Sequence, residues 1–152
     1  MNLIRVIFLA AIAALPVTAG DDPFAGTWKL DASKSKVPSS VQAVTAVRIE
    51  TGSAGIRLME QRTTNTGQKY ELAVSVECSG KIYGVIGSPE FESVKCWPAD
   101  SRAIQFEFSQ GGAAVEWQHL EVSKNGATLK ISSSVKSGTG KQTSFAAAYN
   151  RE

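Results

Sequence analysis

From residue 24 onwards the chain alternates apolar and polar side chains with period two, and glycine, asparagine or proline interrupts the alternation at short intervals. Residues 70–78 show it most plainly. Tyr70, Leu72, Val74 and Val76 fall on one face, and Glu71, Ser75 and Glu77 on the other. Successive side chains of an extended chain point to opposite faces, so this pattern describes antiparallel strands with one face in a core and one in water. Strands are predicted over residues 24–30, 42–51, 56–63, 70–78, 81–85, 91–97, 102–109, 114–123, 127–135 and 142–149. Turn sequences separate them, among them Asn65-Thr66-Gly67, Gly111-Gly112 and Asn125-Gly126. The last is a strong two-residue hairpin signal, because both residues tolerate positive φ. Short connections imply sequential antiparallel pairing. Such a sheet hides its edges by closing on itself or by splitting into a sandwich. A sandwich needs long crossovers, and only residues 31–40 are long enough for one. The predicted fold is therefore an all-β, antiparallel up-and-down β-barrel of eight to ten strands. The count depends on whether residues 81–85 form a strand of their own.

Residues 20–152 read as a single domain, and residues 1–19 stand apart from it. The segment MNLIRVIFLAAIAALPVTA has one basic residue, Arg5, then an apolar run, then Pro16 and the compact trio Val17-Thr18-Ala19. This is the pattern of a secretory signal peptide cleaved near Ala19. The run is short for a bilayer core of roughly 30 Å, so no transmembrane anchor is expected. The expected address is the periplasm or the medium. Among 152 residues, 16 are basic and 14 acidic, a formal net charge of +2. A near-balanced charge supplies no basic stripe, so nucleic acid is not an expected partner.

Export changes the meaning of Cys78 and Cys96. In an oxidising compartment an even cysteine count suggests one disulfide, which would add roughly 3 kcal/mol in the chain-entropy account. Two independent buried thiols are the alternative. A metal site is not expected, because His119 is the sole histidine and lies far along the chain.

The segment Phe24-Ala25-Gly26-Thr27-Trp28-Lys29-Leu30 resembles the first strand of the calycin superfamily, which holds lipocalins and fatty-acid-binding proteins. The shared feature is a glycine, any residue, then tryptophan. The tail from Phe145 through Tyr149 to Arg151 resembles that superfamily's last strand. The chain looks more like small exported bacterial lipocalin-like proteins of unassigned function, through Lys34-Ser35-Lys36 and the segment Val122-Ser123-Lys124-Asn125-Gly126-Ala127-Thr128-Leu129. The resemblance implies a calycin-like barrel with Trp28 closing one end. Gly26 would allow close backbone approach there, and Arg151 would lie over the indole in a cation–π contact. One departure limits the carry-over. Fatty-acid-binding proteins place a carboxylate-binding arginine two residues before the last-strand tyrosine, and here that position is Ala147.

Within a barrel, Phe106, Phe108, Trp117, His119, Phe145 and Tyr149 are the candidate ligand-binding residues. Ile104, Phe106 and Phe108 share a face, as do Val115, Trp117 and His119. These aromatics suit a cavity wall or an ordinary filled core equally well. His119 either donates a hydrogen bond to a ligand or sits on the solvated face. The opposite face of the same strand, with Glu116, Gln118, Leu120 and Val122, is mixed and blurs the inside-outside assignment. Arg57 would face inward if its strand register were reversed. No catalytic set, cofactor or metal site is read from the chain, and it is not expected to be an enzyme. The expected function is an exported barrel, monomeric, binding a small hydrophobic or amphipathic molecule. The alternative is a filled barrel that meets an envelope protein or component.

Overall fold

The alternating segments form ten strands in a computed structural model that describes residues 22–64 and 66–152. The leader and its cleavage point lie outside the described residues. In chain order the strands are β1 (Gly26–Leu30), β2 (Ala43–Gly52), β3 (Gly55–Thr63), β4 (Lys69–Val76), β5 (Tyr83–Gly84), β6 (Ser93–Asp100), β7 (Ala103–Gln110), β8 (Ala113–Val122), β9 (Thr128–Lys136) and β10 (Gln142–Arg151). A short 3-10 turn at Ala32–Lys34 is capped by the Asp31 carboxylate, which accepts from the Ser33 amide. All pairings are antiparallel, and the order across the sheet is β4-β3-β2-β1-β10-β9-β8-β7-β6-β5. The first strand therefore pairs with the last, with Trp28 opposite Arg151 and Leu30 opposite Tyr149. This is an up-and-down, nearly closed, calycin-like barrel.

The seam lies between β4 and β5. Two hydrogen bonds bridge it, from the Ala73 amide to the Ile86 carbonyl and back, each 2.9 Å. A disulfide crosses the same seam. Cys78 follows β4 and Cys96 sits in β6, and their Cα atoms are 4.4 Å apart. The expected bridge is thus present, and it staples the two sides of the sheet where hydrogen bonding is thinnest.

Two strand boundaries differ from expectation. Residues 81–85 reduce to the two-residue β5, and β6 runs through Pro98 to Asp100. Proline has no amide to donate, so it breaks a strand only where the neighbouring strand on its amide side needs that donor. Here β5 pairs only with Ser93 and Val94, which leaves the far edge of β6 unpaired beside Pro98.

Trp28 is fully buried and its Nε1 donates to the Phe24 carbonyl at 3.0 Å. The Arg151 guanidinium carbon lies 4.1 Å from the centre of the indole ring. Arg151 also donates to the carbonyls of Gly126 at 2.8 Å and Pro23 at 2.7 Å. It ties the β8–β9 hairpin and the segment just before β1 to one end of the barrel. Gly26 has φ +144, and a Cβ there would fall 2.8 Å from an Arg151 nitrogen. Both the backbone angle and the close approach require glycine.

Candidate ligand-binding site

The lumen is occupied by side chains along its length. Leu58, Leu72, Phe108, Leu120 and Leu129 are fully buried, as are Phe106 and Tyr149 to within 2%. Phe106 and Phe108 stack at 6.2 Å between ring centres, and Phe91 lies 5.1 Å from Phe108. Tyr149 reaches across to donate from its hydroxyl to the Val44 carbonyl at 2.9 Å. Burial pushes the Tyr149 pKa up.

Among these apolar residues sits a charged cluster. Arg62 donates from Nε to Glu60 at 2.8 Å and forks onto both oxygens of Glu116, at 3.1 and 2.9 Å. Gln118 donates to Glu116 at 2.9 Å. The Arg62 guanidinium also lies over the rings of Phe91 and Phe108, at 5.0 and 5.6 Å. An ion leaves water at high cost unless it is paired and hydrogen-bonded, which is why these four polar residues come together. Burial raises the Glu60 pKa, although Arg62 opposes the rise. Burial works against the charge on Arg62, but the two carboxylates outweigh it and hold the guanidinium charged. Oε1 of Glu60 and Oε1 of Gln118 have no hydrogen-bond partner.

These four were absent from the sequence-derived site, yet a signal existed. Glu60 and Arg62 share the parity of the apolar Ile56 and Leu58, so the alternation places them inside. Arg57 is exposed, and Arg62 is the inward arginine. On β8 the mixed face is the inward one. Glu116, Gln118, Leu120 and Val122 are buried, and Trp117 and His119 consequently point outward. This corrects the placement of Trp117 within the lumen, and His119 takes the outward of its two alternatives. A face bearing Glu and Gln turns inward here because Arg62 waits across the barrel to pair with it.

The outward residues are not scattered. Cross-strand register aligns Trp97, Gln105, His119 and Ser132 in one row and Glu107, Trp117, Ser134 and Ser144 in the next. Together they line a groove of about 610 Å³ on the outer wall. The intervening row, Phe106, Gln118, Ser133 and Phe145, alternates to the opposite face and forms its floor. Trp117 donates from Nε1 to Glu107 at 3.2 Å. Gln105 Nε2 lies 3.4 Å from His119 Nδ1, and Glu121 lies 3.8 Å from Nε2. Of the six sequence-derived ligand residues, Trp117, His119, Phe106 and Phe145 border this groove, whereas Phe108 and Tyr149 lie in the packed core. Trp97 is not among the residues that the sequence alone assigns to a site. Its signal was a large indole on a strand beside a cysteine, on the face opposite that buried sulfur.

A second, smaller opening of about 290 Å³ at the barrel mouth is lined by Gln42, Glu90, Phe91, Glu116 and Lys136 among others. Burial raises the Glu90 pKa there, against the pull of Arg62. Among the described residues no group of three His, Cys, Asp or Glu side chains is placed to hold a metal ion. No helix among them is long and apolar enough to cross a membrane. No protein-family model and no curated protein matches the chain.

Proposed function

We propose that the protein is an exported binding module that takes a small amphipathic molecule in the groove on its outer wall. The observation that carries this reading is the contrast between a lumen filled by side chains and a wall groove of about 610 Å³ with two indoles in its lining. Ligand sites commonly measure ~300–1,000 Å³ and combine aromatic walls with a few polar groups. Export is supported by the leader sequence of residues 1–19, and the Cys78–Cys96 disulfide suits an oxidising compartment. Titration with the neutral dye phenylnaphthylamine, followed by tryptophan fluorescence, tests it. Trp117→Ala is expected to weaken binding about ten-fold, the scale of one lost aromatic contact. Equal affinity in the parent and in Trp117→Ala would remove the groove from consideration.

A second reading has one observation in its favour. Ile82 and Ile86 flank β5 at 68% and 74% exposure, and so set two large apolar side chains in water beside the sheet's seam. This edge would then meet an envelope component. Co-sedimentation with envelope fragments, abolished by Ile82→Asp with Ile86→Asp while dye binding persists, is the outcome that reading expects.

A further inference from the structure

Resting on the wall-groove reading, we infer that the ligand is a neutral oligosaccharide, stacked on Trp97 and Trp117 and hydrogen-bonded by Gln105, His119 and the groove serines. A sugar ring offers a flat C–H face and a rim of hydroxyls. It needs an apolar plate and, around it, short uncharged donors and acceptors. The groove supplies both.

Trp97 on β6 and Trp117 on β8 are two strands apart, about 9.5 Å at ordinary interstrand spacing. They stand in adjacent outward rows, since Trp97 pairs with Gln105 and Trp117 with Glu107. The plates are therefore offset diagonally, as a chain of more than one ring requires. Both indoles are held before any ligand arrives. Trp117 is fixed by its bond to Glu107. Trp97 turns its nitrogen edge to Gly80, where a Cβ would come within 2.6 Å of Nε1. Plates fixed in advance spare the ordering cost of binding.

Charge selects the class. No lysine or arginine lines the groove. Its one carboxylate, Glu107, is engaged by Lys95 at 3.6 Å and by the Trp117 indole. An anionic headgroup would find only Lys95, whose ammonium Glu107 already holds, and a cationic ligand would have to displace that ammonium. Gln105 meets His119, and Ser134 meets Gln142 and Ser144. A bare acyl chain would still cover the Ser132 hydroxyl and the remaining bonding capacity of the other three without offering partners, and buried unmet polar groups are costly. A neutral polyhydroxyl chain meets all three conditions.

The experiment titrates the protein with cellotetraose, maltotetraose, chitotetraose and mannotetraose, and in parallel with phenylnaphthylamine. Tryptophan fluorescence and calorimetry are the readouts. At least one sugar is expected to bind with little dependence on salt, as neutral contacts require. Trp97→Ala and Trp117→Ala are each expected to weaken it about ten-fold, and the Phe replacements to recover most of the loss. The Phe variants, with Gln105→Ala, keep the test open should an Ala variant fold poorly. Dye binding in the groove with no sugar bound overturns the carbohydrate assignment and leaves the wall-groove reading standing. Sugar binding indifferent to both indoles also overturns it. Loss of both dye and sugar binding from the parent protein overturns the two together.

Discussion

Arg62 holds two buried carboxylates, Glu60 and Glu116, and the cluster carries one more negative than positive charge when all three are ionised. Removing the cation would leave both carboxylates buried with no positive charge to pair with and only the Gln118 amide as a donor. Arg62→Met is therefore expected to cost about 3–5 kcal/mol in a urea unfolding titration, the range for breaking a buried pair from one side. Glu60→Gln is a different case, since Arg62 keeps Glu116. Burial raises the Glu60 pKa, so the folded protein binds that proton more tightly than the unfolded chain does. The stabilisation this gives is complete below the ordinary glutamate value of 4.5 and is lost as the pH rises through the higher folded value. Glu60→Gln lacks that loss. Its stability relative to the parent is expected to improve from about pH 4 towards neutrality, read from urea midpoints across pH. A difference that stays constant over that window would count against the burial argument. At the far end of the barrel, Trp28→Ala is expected to lower stability by about 3–5 kcal/mol, as loss of a buried large aromatic does.

The seam between β4 and β5 depends on few bonds: the Ala73–Ile86 bridge and the Cys78–Cys96 disulfide. Replacing both cysteines with alanine is expected to cost about 3 kcal/mol by loop closure. Hydrogen exchange should quicken first in β4 and in residues 79–92, with β8–β10 little changed. The same replacement should weaken ligand binding, because the Gly80 amide donates to the Cys96 carbonyl at 2.9 Å and Gly80 backs Trp97. Most of this architecture was legible in the alternation, which located every strand to within a few residues and implied the β1–β10 pairing. The site was less legible, for a physical reason. Assigning the faces of β8 from its own residues favoured Val115 and Trp117 as the buried side. The deciding interaction lay on β3, where Arg62 supplies the charge that lets Glu116 turn inward. A local pattern does not carry a partner 54 residues away. The predicted strand over 91–97 stops short of Pro98 for a similar reason, since the cost of a proline depends on whether the neighbouring edge is paired.

A nearly closed sheet with one filled interior leaves its outer face as the place where a ligand would find both room and exposed aromatic surface. The ten strands divide the labour. β1 to β4 supply one wall of the core and Arg62, while β6 to β10 present the outward rows that build the groove. A carrier that used its lumen would instead have to empty a core in which Leu58, Leu72, Phe106 and Phe108 are all but completely buried. The two arrangements touch different strands, so amide chemical shifts of the protein during a phenylnaphthylamine titration separate them. The wall-groove account predicts that the shifts cluster at Trp97, Gln105, Trp117, His119, Ser132 and Ser134, with Val47, Leu58 and Leu72 unmoved. Shifts concentrated at Val47, Leu58 and Leu72, with the outward residues of β6 to β9 silent, would contradict it.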